Sequence, residues 1–473
     1  MTALTHRLEH DLLGDREVPV AAYYGVHTLR AQENFAITGI SIAVYPDLIC
    51  ALAQIKKAAA QANRQLGLLD AKRADAIVAA CREVIDGKLH EQFVVDVIQG
   101  GAGTSTNMNA NEVIANRALE ILGHGKGEYK YLHPNEHVNM SQSTNDVYPT
   151  ALKLATYVGI FRLVDAMAYL RRAFERKAEE FADVLKMGRT QLQDAVPMTL
   201  GQEFSTYAVM LGEDEERLKE AALLIREMNL GATAIGTGIN AHPDYAPLVC
   251  RRLAEISGVP VVTSPNLIEA TQDCGSFVQL SGVLKRVAVK LSKVCNDLRL
   301  LSSGPRAGFN EINLPPRQAG SSIMPGKVNP VIPEVVNQIA FEVIGNDTTV
   351  TFAAEAGQLQ LNAFEPIIAH SLFKSVLHLR KGCKTLADHC VDGITANRET
   401  LRASVERSIG IVTALNPYIG YANATEIAAE AHLSGRGVAE IVLERKLMSP
   451  EQLADVLRPE VLTKPQMILP RAA

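Results

Sequence analysis

The chain has 473 residues, which is long enough for about three domains with a substantial buried core. Hydrophobic residues make up 47% of it and charged residues 21%, the balance of a folded globular protein rather than a disordered one. The net charge of -5 and the lack of a basic stripe argue against nucleic acid or an anionic membrane as the main partner.

The opening stretch, "MTALTHRLEHDLLGDREVP", has acids and histidines where a signal peptide needs an apolar core. Along the rest of the chain, no apolar run approaches the roughly 18 residues that a membrane span requires. The seven cysteines are scattered and include no CxxC pair, which is typical of free thiols in a reducing compartment. We therefore expect a cytoplasmic protein with no membrane partner.

Strand signals are few, and the short run Phe93–Ile98 is the best candidate. From Ala151 to Lys186 the pattern is helical, because apolar residues recur at spacings of three and four without an intervening proline. Four further stretches share this pattern: Leu200–Met228, Ser276–Ser303, Pro333–Phe352 and Ile367–Cys390. Helices of about 30 to 50 Å that are apolar on more than one face belong in a bundle. The fold class is therefore predicted to be all-α, with self-association through the bundle.

Polar, glycine-rich segments separate the helical stretches, and all of them are rich in hydroxyl and amide side chains. Four examples are "GGAGTSTNMNANE", "HPNEHVNMSQSTND", "GRTQLQD" and "GATAIGTGINAHPDY". For any one segment alone, the simpler interpretation is a helix cap, since Ser, Thr and Asn satisfy the free N–H groups of a helix start. Several such segments together with a lysine instead favour a site for small anions such as carboxylates.

Other chemistries find little support in the motifs. There is no Walker lysine after GxxxxG, no GxGxxG opening a βα unit and no HExxH. His133 and His137 are four residues apart, but Pro134 and Asn135 predict a turn between them rather than a zinc-binding helix. We therefore predict no metal-ligand set.

The segment "GSSIMPGKVNP", Gly320–Pro330, resembles the signature of the fumarase/aspartase superfamily, whose members eliminate across a C–C bond to release fumarate. Two other blocks, "GTSTNMNANEV" and "HPNEHVNMSQSTND", resemble that superfamily in the expected order, and "KMGRTQLQDAVPMTLGQEF" looks closest to its ammonia-lyase branch. The resemblance implies an all-α homotetramer whose central helices form a core bundle, with active sites shared between subunits. It also implies three domains, which we place at residues 1–144, 145–399 and 400–473.

The resemblance also implies roles for individual residues. Ser321 is expected to act as the base in its oxyanion form, and Lys327 and backbone N–H groups are the available causes of a lowered pKa of that hydroxyl. The residues implied to hold the substrate's β-carboxylate, where the charge of the intermediate develops, are Thr104, Ser143, Thr144 and Ser322. Those implied to hold the α-carboxylate are Thr190, Lys327 and Asn329.

The choice between ammonia and water as leaving group depends on few positions. Class II fumarases pair a histidine after the "GRT"-like threonine with a glutamate; Glu334 matches that glutamate, but the histidine position is Gln191, which cannot titrate. Gln191 and Asn145 are instead implied to accept hydrogen bonds from the substrate's ammonium group. We therefore expect the conversion of L-aspartate to fumarate and ammonia, with no required cofactor and with magnesium as a candidate activator. Two alternatives stay open: a fumarate hydratase acting on malate, and a non-catalytic helical scaffold.

Overall fold

The computed structural model describes residues 5–465 of the chain. Within that range the chain is predominantly helical, so the predicted all-α fold class is confirmed. The chain folds into two compact units. Unit 1 comprises Met1–Asp165, Glu216–Ala288 and Phe341–Arg380, and unit 2 comprises Ala166–Glu215, Val289–Ala340 and Lys381–Ala473. The division into three domains stays a prediction, and the outermost parts of its two terminal domains, residues 1–4 and 466–473, lie outside the described residues.

The α-helices are numbered in chain order. Their bounds are α1 Val26–Asn34, α2 Pro46–Gln65, α3 Ala71–Ile85, α4 Thr104–Ile121, α5 Thr144–Glu180, α6 Leu200–Leu224, α7 Tyr245–Ser257, α8 Leu267–Gln272, α9 Gly275–Leu301, α10 Val331–Glu355, α11 Glu365–His389, α12 Arg398–Arg407, α13 Val412–Ile419, α14 Tyr421–Ser434, α15 Val438–Glu444, α16 Pro450–Val456 and α17 Pro459–Leu462. No helix among residues 5–465 is long and apolar enough to cross a membrane.

Five helices, α5, α6, α9, α10 and α11, have 25 or more residues each, and they match the five predicted helical stretches. The largest difference is at α5, which begins seven residues earlier than the pattern indicated because it continues back through Pro149. Proline lacks the N–H that would bond the carbonyl of Asn145 four residues earlier. The side-chain amide of Asn229 replaces that bond, with Nδ2 donating to the Asn145 carbonyl at 2.9 Å.

Strands are short and paired within residues 5–465. They form four two-stranded sheets: antiparallel β1 His6–Asp11 with β2 Gly14–Pro19, antiparallel β3 Leu185–Thr190 with β4 Gln193–Thr199, parallel β5 Glu227–Met228 with β6 Val262–Thr263, and antiparallel β7 Ile312–Asn313 with β8 Thr395–Ala396. The predicted strand Phe93–Ile98 is wrong, since only one isolated bridge forms there, between Asp96 and Ser41. Its alternating apolar residues are buried as expected. The backbone of residues 40–42 bonds Val95 and Val97, but on the other edge the N–H of Val94 donates to the side chain of Asn109 on α4 instead of to a strand.

Unit 1 is built around α2, whose alanine-rich surface packs against α3 and α7. Small side chains allow close approach of the helices, and Leu52, Ile55 and Ala59 are fully buried there. Lys56 lies on the same face, four residues from Leu52 and three from Ala59, and it too is fully buried. A lysine in such a place requires hydrogen-bond partners, which the polar loops of this unit supply.

Glu365, at the start of α11, is a second buried ionisable group in unit 1. Burial raises the pKa of its carboxyl to about 8, and the nearby Lys153 ammonium lowers it by a smaller amount. Because the folded-state pKa lies above the usual value, the folded protein keeps a proton that the unfolded chain releases. The associated stability is fully present below about pH 4.5 and is lost as the pH rises through about 8.

We expect the variant Glu365→Gln to have a flatter dependence of the unfolding temperature on pH than the parent protein between about pH 5 and 8. The slope removed would be at most about 1.4 kcal/mol per pH unit, the value for one proton. Thermal unfolding of both proteins at a series of pH values checks this. Glu355→Gln, at an exposed position of α10, is the matched control and should keep the parent's profile. Identical profiles for Glu365→Gln and the parent would contradict the prediction.

Unit 2 contains a second core, made by the helices from α12 onwards. Val405, Leu415, Ile427 and Ile441 are buried in it, and Met187 of strand β3 packs into the same cluster. The β3–β4 hairpin is therefore anchored by one side of its first strand, which leaves its turn exposed at the surface.

Candidate active site

Thr104 is the first residue of α4, directly after a glycine-rich turn. The backbone at Gly101, Ala102 and Gly103 is left-handed at three consecutive positions, a conformation that residues other than glycine rarely adopt. At Gly103 a side chain is excluded, because an added Cβ would lie 2.4 Å from the ring of Tyr148 on α5. Thr104 is half-buried, and its hydroxyl donates to the carbonyl of Gly101 at 2.8 Å. The predicted residue thus lies where α4 begins, close to the start of α5.

Ser143, Thr144 and Asn145 form the start of α5. The Ser143 hydroxyl accepts a hydrogen bond from the N–H of Asn145 at 3.2 Å, and the carboxylate of Asp146 accepts one from the N–H of Ser143 at 3.0 Å. This reciprocal pair is a helix cap, in which the Ser143 oxygen is an acceptor and its hydroxyl proton is left for another acceptor. The same holds for Thr144, whose hydroxyl oxygen accepts from the side chain of Asn107 at 3.1 Å while its proton is left for another acceptor.

A buried cation lies beneath these residues. The ammonium group of Lys56 donates to the side-chain oxygens of Asn107, Asn139 and Gln142 at 2.7, 2.8 and 3.0 Å. Burial lowers the pKa of Lys56 to about 7, although the carboxylate of Asp146 favours the charged form. Lys56 therefore orients Asn107, which in turn holds Thr144. Sequence reasoning missed Lys56; the available signal was a lysine on the face of α2 that also carries Leu52 and Ala59.

Thr190 and Gln191 lie at the end of the β3–β4 hairpin, whose turn consists of Gln191 and Leu192. The sequence placed this segment in a loop between helices, but the flanking residues pair as strands. Both turn residues have left-handed φ values, 54° for Gln191 and 63° for Leu192. A two-residue turn of this kind normally uses Asn and Gly, because other side chains are strained there. The turn exposes Thr190, Gln191 and Leu192 to solvent.

Replacement of Leu192 by glycine is expected to stabilise the protein by about 0.5–1 kcal/mol, since glycine adopts the left-handed conformation without strain. The urea midpoint of unfolding measures the effect. Leu12→Gly serves as the control, because Leu12 is an exposed leucine in the β1–β2 turn whose φ is not positive. A gain in the control, or a loss at position 192, would show that backbone strain is not the deciding factor.

An ion network anchors the base of this hairpin within unit 2. The buried Lys186 ammonium lies 2.5 Å from Glu203 and 2.8 Å from Glu311. Arg189 contacts Glu311 at 2.5 Å and stacks on the ring of Phe309 at 4.4 Å. Glu311 is only 1% exposed, so its two cationic partners compensate for the loss of water around its charge. Arg189, which directly precedes Thr190, is thereby held in place.

The signature segment Gly320–Pro330 is an exposed loop that is closed on itself. The Gly320 N–H donates to the Lys327 carbonyl at 2.8 Å, and the Asn329 side chain donates to the Gly320 carbonyl at 2.7 Å. An added Cβ at Gly320 would lie 2.3 Å from the Lys327 carbonyl oxygen, so glycine is required there. Ser322, Lys327 and the hydrophobic Ile323 are exposed on this loop.

The hydroxyl of Ser321 bonds the backbone of the turn that follows it. Its oxygen accepts two backbone hydrogen bonds, from the N–H of Ile323 at 3.1 Å and from the N–H of Met324 at 2.9 Å. Of the two causes expected from the sequence, the backbone N–H groups are thus in contact with Ser321. The ammonium group of Lys327 makes no hydrogen bond or ion pair within the described range 5–465.

Within one copy of the chain, the predicted residues divide between the two units. Unit 1 brings Thr104, Ser143, Thr144 and Asn145 to the adjoining starts of α4 and α5. Unit 2 carries the remaining six on the hairpin turn and the signature loop, namely Thr190, Gln191, Ser321, Ser322, Lys327 and Asn329. Glu334 lies in the first turn of α10, immediately after the signature loop.

His133 precedes one turn of π-helix, Pro134–Val138, and His137 lies within it, so the predicted turn is observed. The ring nitrogen of His137 accepts from the N–H of His133 at 2.8 Å, and that of His133 accepts from the N–H of Asn135 at 3.0 Å. Both rings are therefore occupied in shaping the turn. No group of three or more metal-ligating side chains is found in the described part of the chain.

The chain matches two family models, one described as "Lyase" over residues 14–345 and one described as "Fumarase C C-terminus" over residues 411–464. It is 63% identical over 467 residues to the aspartate ammonia-lyase of Pseudomonas aeruginosa, covering 98% of each chain. Among solved structures, fumarate lyase:delta crystallin from Brucella melitensis bound to cobalt is 56% identical with a TM-score of 0.95, covering 97% of this chain and 100% of that one. The class II fumarase of Schistosoma mansoni is 36% identical with a TM-score of 0.91, covering 96% and 98%.

Long helices with polar loops at their N-termini, together with these matches, define a lyase of the all-α class. The chain belongs to the fumarase/aspartase superfamily.

Proposed function

We propose that this chain catalyses the reversible elimination of ammonia from L-aspartate to give fumarate. The observation that carries the choice of ammonia over water is Gln191, which lies in the exposed hairpin turn where a class II fumarase has a titratable histidine. The match to the Pseudomonas aeruginosa protein, which is much closer than the match to the Schistosoma mansoni fumarase, supports the same choice. A carbon–nitrogen lyase needs no acid at this position, because ammonium leaves as neutral ammonia.

The reaction starts with removal of a proton from the Cβ atom of aspartate. Ser321 takes this proton as an oxyanion, which the N–H groups of Ile323 and Met324 stabilise before the substrate arrives. The electron pair of the broken C–H bond moves into the β-carboxylate and produces a doubly negative aci-carboxylate. That pair then forms the carbon–carbon double bond as the Cα–N bond breaks, so that fumarate and ammonia result.

The intermediate is stabilised by uncharged donors. Thr104, Ser143, Thr144 and Ser322 bind the β-carboxylate, where the additional charge develops, and each donor aimed at such a charge contributes about 3–4 kcal/mol. Thr190, Lys327 and Asn329 bind the α-carboxylate and position the substrate. Gln191 and Asn145 accept hydrogen bonds from the ammonium group. Closure of the exposed signature loop over the substrate would exclude water and strengthen all of these interactions.

The active protein is proposed to be a homotetramer whose sites are shared between copies. On α10, Phe341 and Phe352 are 60% and 69% exposed and lie on one face with Gly345, which has open space around it. An exposed aromatic stripe on a long helix is typical of an interface. Mixing Ser321→Ala and Thr144→Ala subunits after reversible dissociation tests sharing: regained activity supports it, and the absence of regained activity would argue that each copy supplies a whole site.

No cofactor is required by this chemistry, since every step uses side chains and backbone donors. Magnesium is proposed only as an activator, and activity that persists after treatment with EDTA would agree with that role. A cytoplasmic location is proposed as well. It is supported by the seven cysteines, all of which are free in the structure.

A direct assay separates this function from its alternatives. Purified protein is supplied with aspartate or with malate, and formation of fumarate is followed by ultraviolet absorbance while ammonia is measured separately. Fumarate and ammonia should appear together from aspartate. Turnover of malate without turnover of aspartate would make the chain a hydratase, and turnover of neither would favour the scaffold.

A further inference from the structure

The loop Gly231–Asn240 has no assigned role, although its sequence resembles the other site loops. Half of its residues have left-handed backbone, with φ values of 96° at Gly231, 58° at Thr233, 101° at Gly236, 70° at Gly238 and 62° at Asn240. A threonine held in this conformation is strained, and such strain persists only where the surrounding contacts impose it. The contacts that shape this loop come from the start of α5.

The side chain of Asp146, in the first turn of α5, bonds the backbone of the loop. This fully buried carboxylate accepts hydrogen bonds from the N–H of Gly231 at 3.1 Å and from the N–H of Thr233 at 2.8 Å. Its other oxygen accepts the N–H of Ser143, so one side chain joins the loop to the helix cap. One buried carboxyl group, whose pKa burial raises to about 7, therefore joins the loop to the start of α5.

The loop in turn fixes the side chain of Asn145. Its Nδ2 atom donates to the carbonyl of Ala234 at 2.7 Å. Because a carbonyl can only accept, the nitrogen end of the amide must face the loop, and Oδ1 must point the other way. Oδ1 takes part in no hydrogen bond among residues 5–465. The main chain of Asn145 is held as well, since the Asn229 amide bonds its carbonyl.

We propose that the loop Gly231–Asn240 is a positioning element for the leaving group: the Ala234 carbonyl orients the Asn145 amide so that Oδ1 accepts a hydrogen bond from the substrate's ammonium. The inference rests on the proposed function. It adds the reason why Asn145 turns its Oδ1 atom, and not its NH₂ group, towards the substrate. With the amide reversed, its NH₂ group would face a cation, and the contact would become repulsive. By holding Oδ1 of Asn145 towards the substrate, the loop thus favours an ammonium group over any neutral acceptor beside that atom.

The test uses Gly236→Ala. An added Cβ at Gly236 would lie 2.3 Å from the Cα of Ile268, so the loop must shift and carry the Ala234 carbonyl with it. Gly14→Ala is the matched control, because Gly14 has nearly the same φ, 103°, but no atom within 4 Å of the added Cβ. Steady-state kinetics of the reverse reaction give separate KM values for ammonia and for fumarate. We expect the KM for ammonia to rise about tenfold or more in Gly236→Ala, with the KM for fumarate within about twofold.

Thr233→Gly provides a second variant that introduces no clash. It relieves the left-handed strain and loosens the loop, so a smaller but equally selective rise in the KM for ammonia is expected, even if Gly236→Ala does not fold. Parallel changes in both KM values, or no change in either, would overturn the positioning role, because a purely structural loop would not distinguish the two substrates. Absence of any amination by the parent protein would instead refute the proposed function itself.

Discussion

The variant Ser321→Ala is expected to lower kcat for aspartate by about a thousandfold or more, because it removes the group proposed to take the Cβ proton. The fold should be unaffected, since Ser321 lies on an exposed loop and its hydroxyl bonds only the N–H groups of the next turn. Initial rates of fumarate formation measure the loss, and light scattering measures the oligomeric state.

Ser434→Ala is a suitable control for this experiment, because Ser434 ends α14 and its hydroxyl bonds only nearby backbone groups, the carbonyl of Glu430 and the N–H of Arg436. It should keep the parent's kcat. If Ser321→Ala retained more than about a tenth of the parent's rate, another group would have to be the base. If Ser321→Ala changed the oligomeric state, its loss of activity could not be assigned to proton transfer.

Replacement of Lys56 by methionine is expected to destabilise the protein by about 3–5 kcal/mol. It leaves the side-chain oxygens of Asn107, Asn139 and Gln142 without their donor, and it removes the nearby cation that lowers the pKa of the buried Asp146 carboxyl. Denaturant unfolding measures the change. Because Asn107 holds Thr144, the variant should also bind succinate, a substrate analogue without the amino group, more weakly than the parent does.

Lys57→Met is the matched control, since Lys57 is the adjacent residue of α2 but is only half-buried. It should change stability by about 0.5 kcal/mol or less, as is usual for surface substitutions. Equal effects of the two replacements would mean that the hydrogen bonds of Lys56 add nothing beyond the loss of one charge.

The long helices were predictable because their signal is local. Apolar residues three and four apart define a buried stripe within the segment itself, and all five predicted stretches are helices. The boundaries were harder to predict. At α5 the helix continues through Pro149 because the distant Asn229 satisfies the carbonyl that proline leaves free, and no pattern near Pro149 could indicate that.

Strands were predicted less well, because their pairing also depends on contacts with residues distant in the chain. Phe93–Ile98 has the alternation of a strand, but only residues 40–42 bond it on one edge, and the Asn109 side chain takes the N–H of Val94 on the other. In contrast, residues 185–199 form a hairpin around the Gln191–Leu192 turn, which lacks the glycine or asparagine that usually reveals such turns. In both cases the deciding contact is absent from the local sequence.

By itself, the sequence determined the helical fold class, the superfamily and the set of hydroxyl, amide and lysine residues that a carboxylate site needs, because periodicity and motifs are properties of short segments. Only the tertiary structure decided how those residues are presented. Three features depend on atoms that only the folded chain brings together. They are the backbone donors that contact the Ser321 hydroxyl, the support that Lys56 gives Thr144 through Asn107, and the orientation of the Asn145 amide. Asn145 and Ala234 are 89 positions apart in the chain, and folding alone brings such atoms within hydrogen-bond distance.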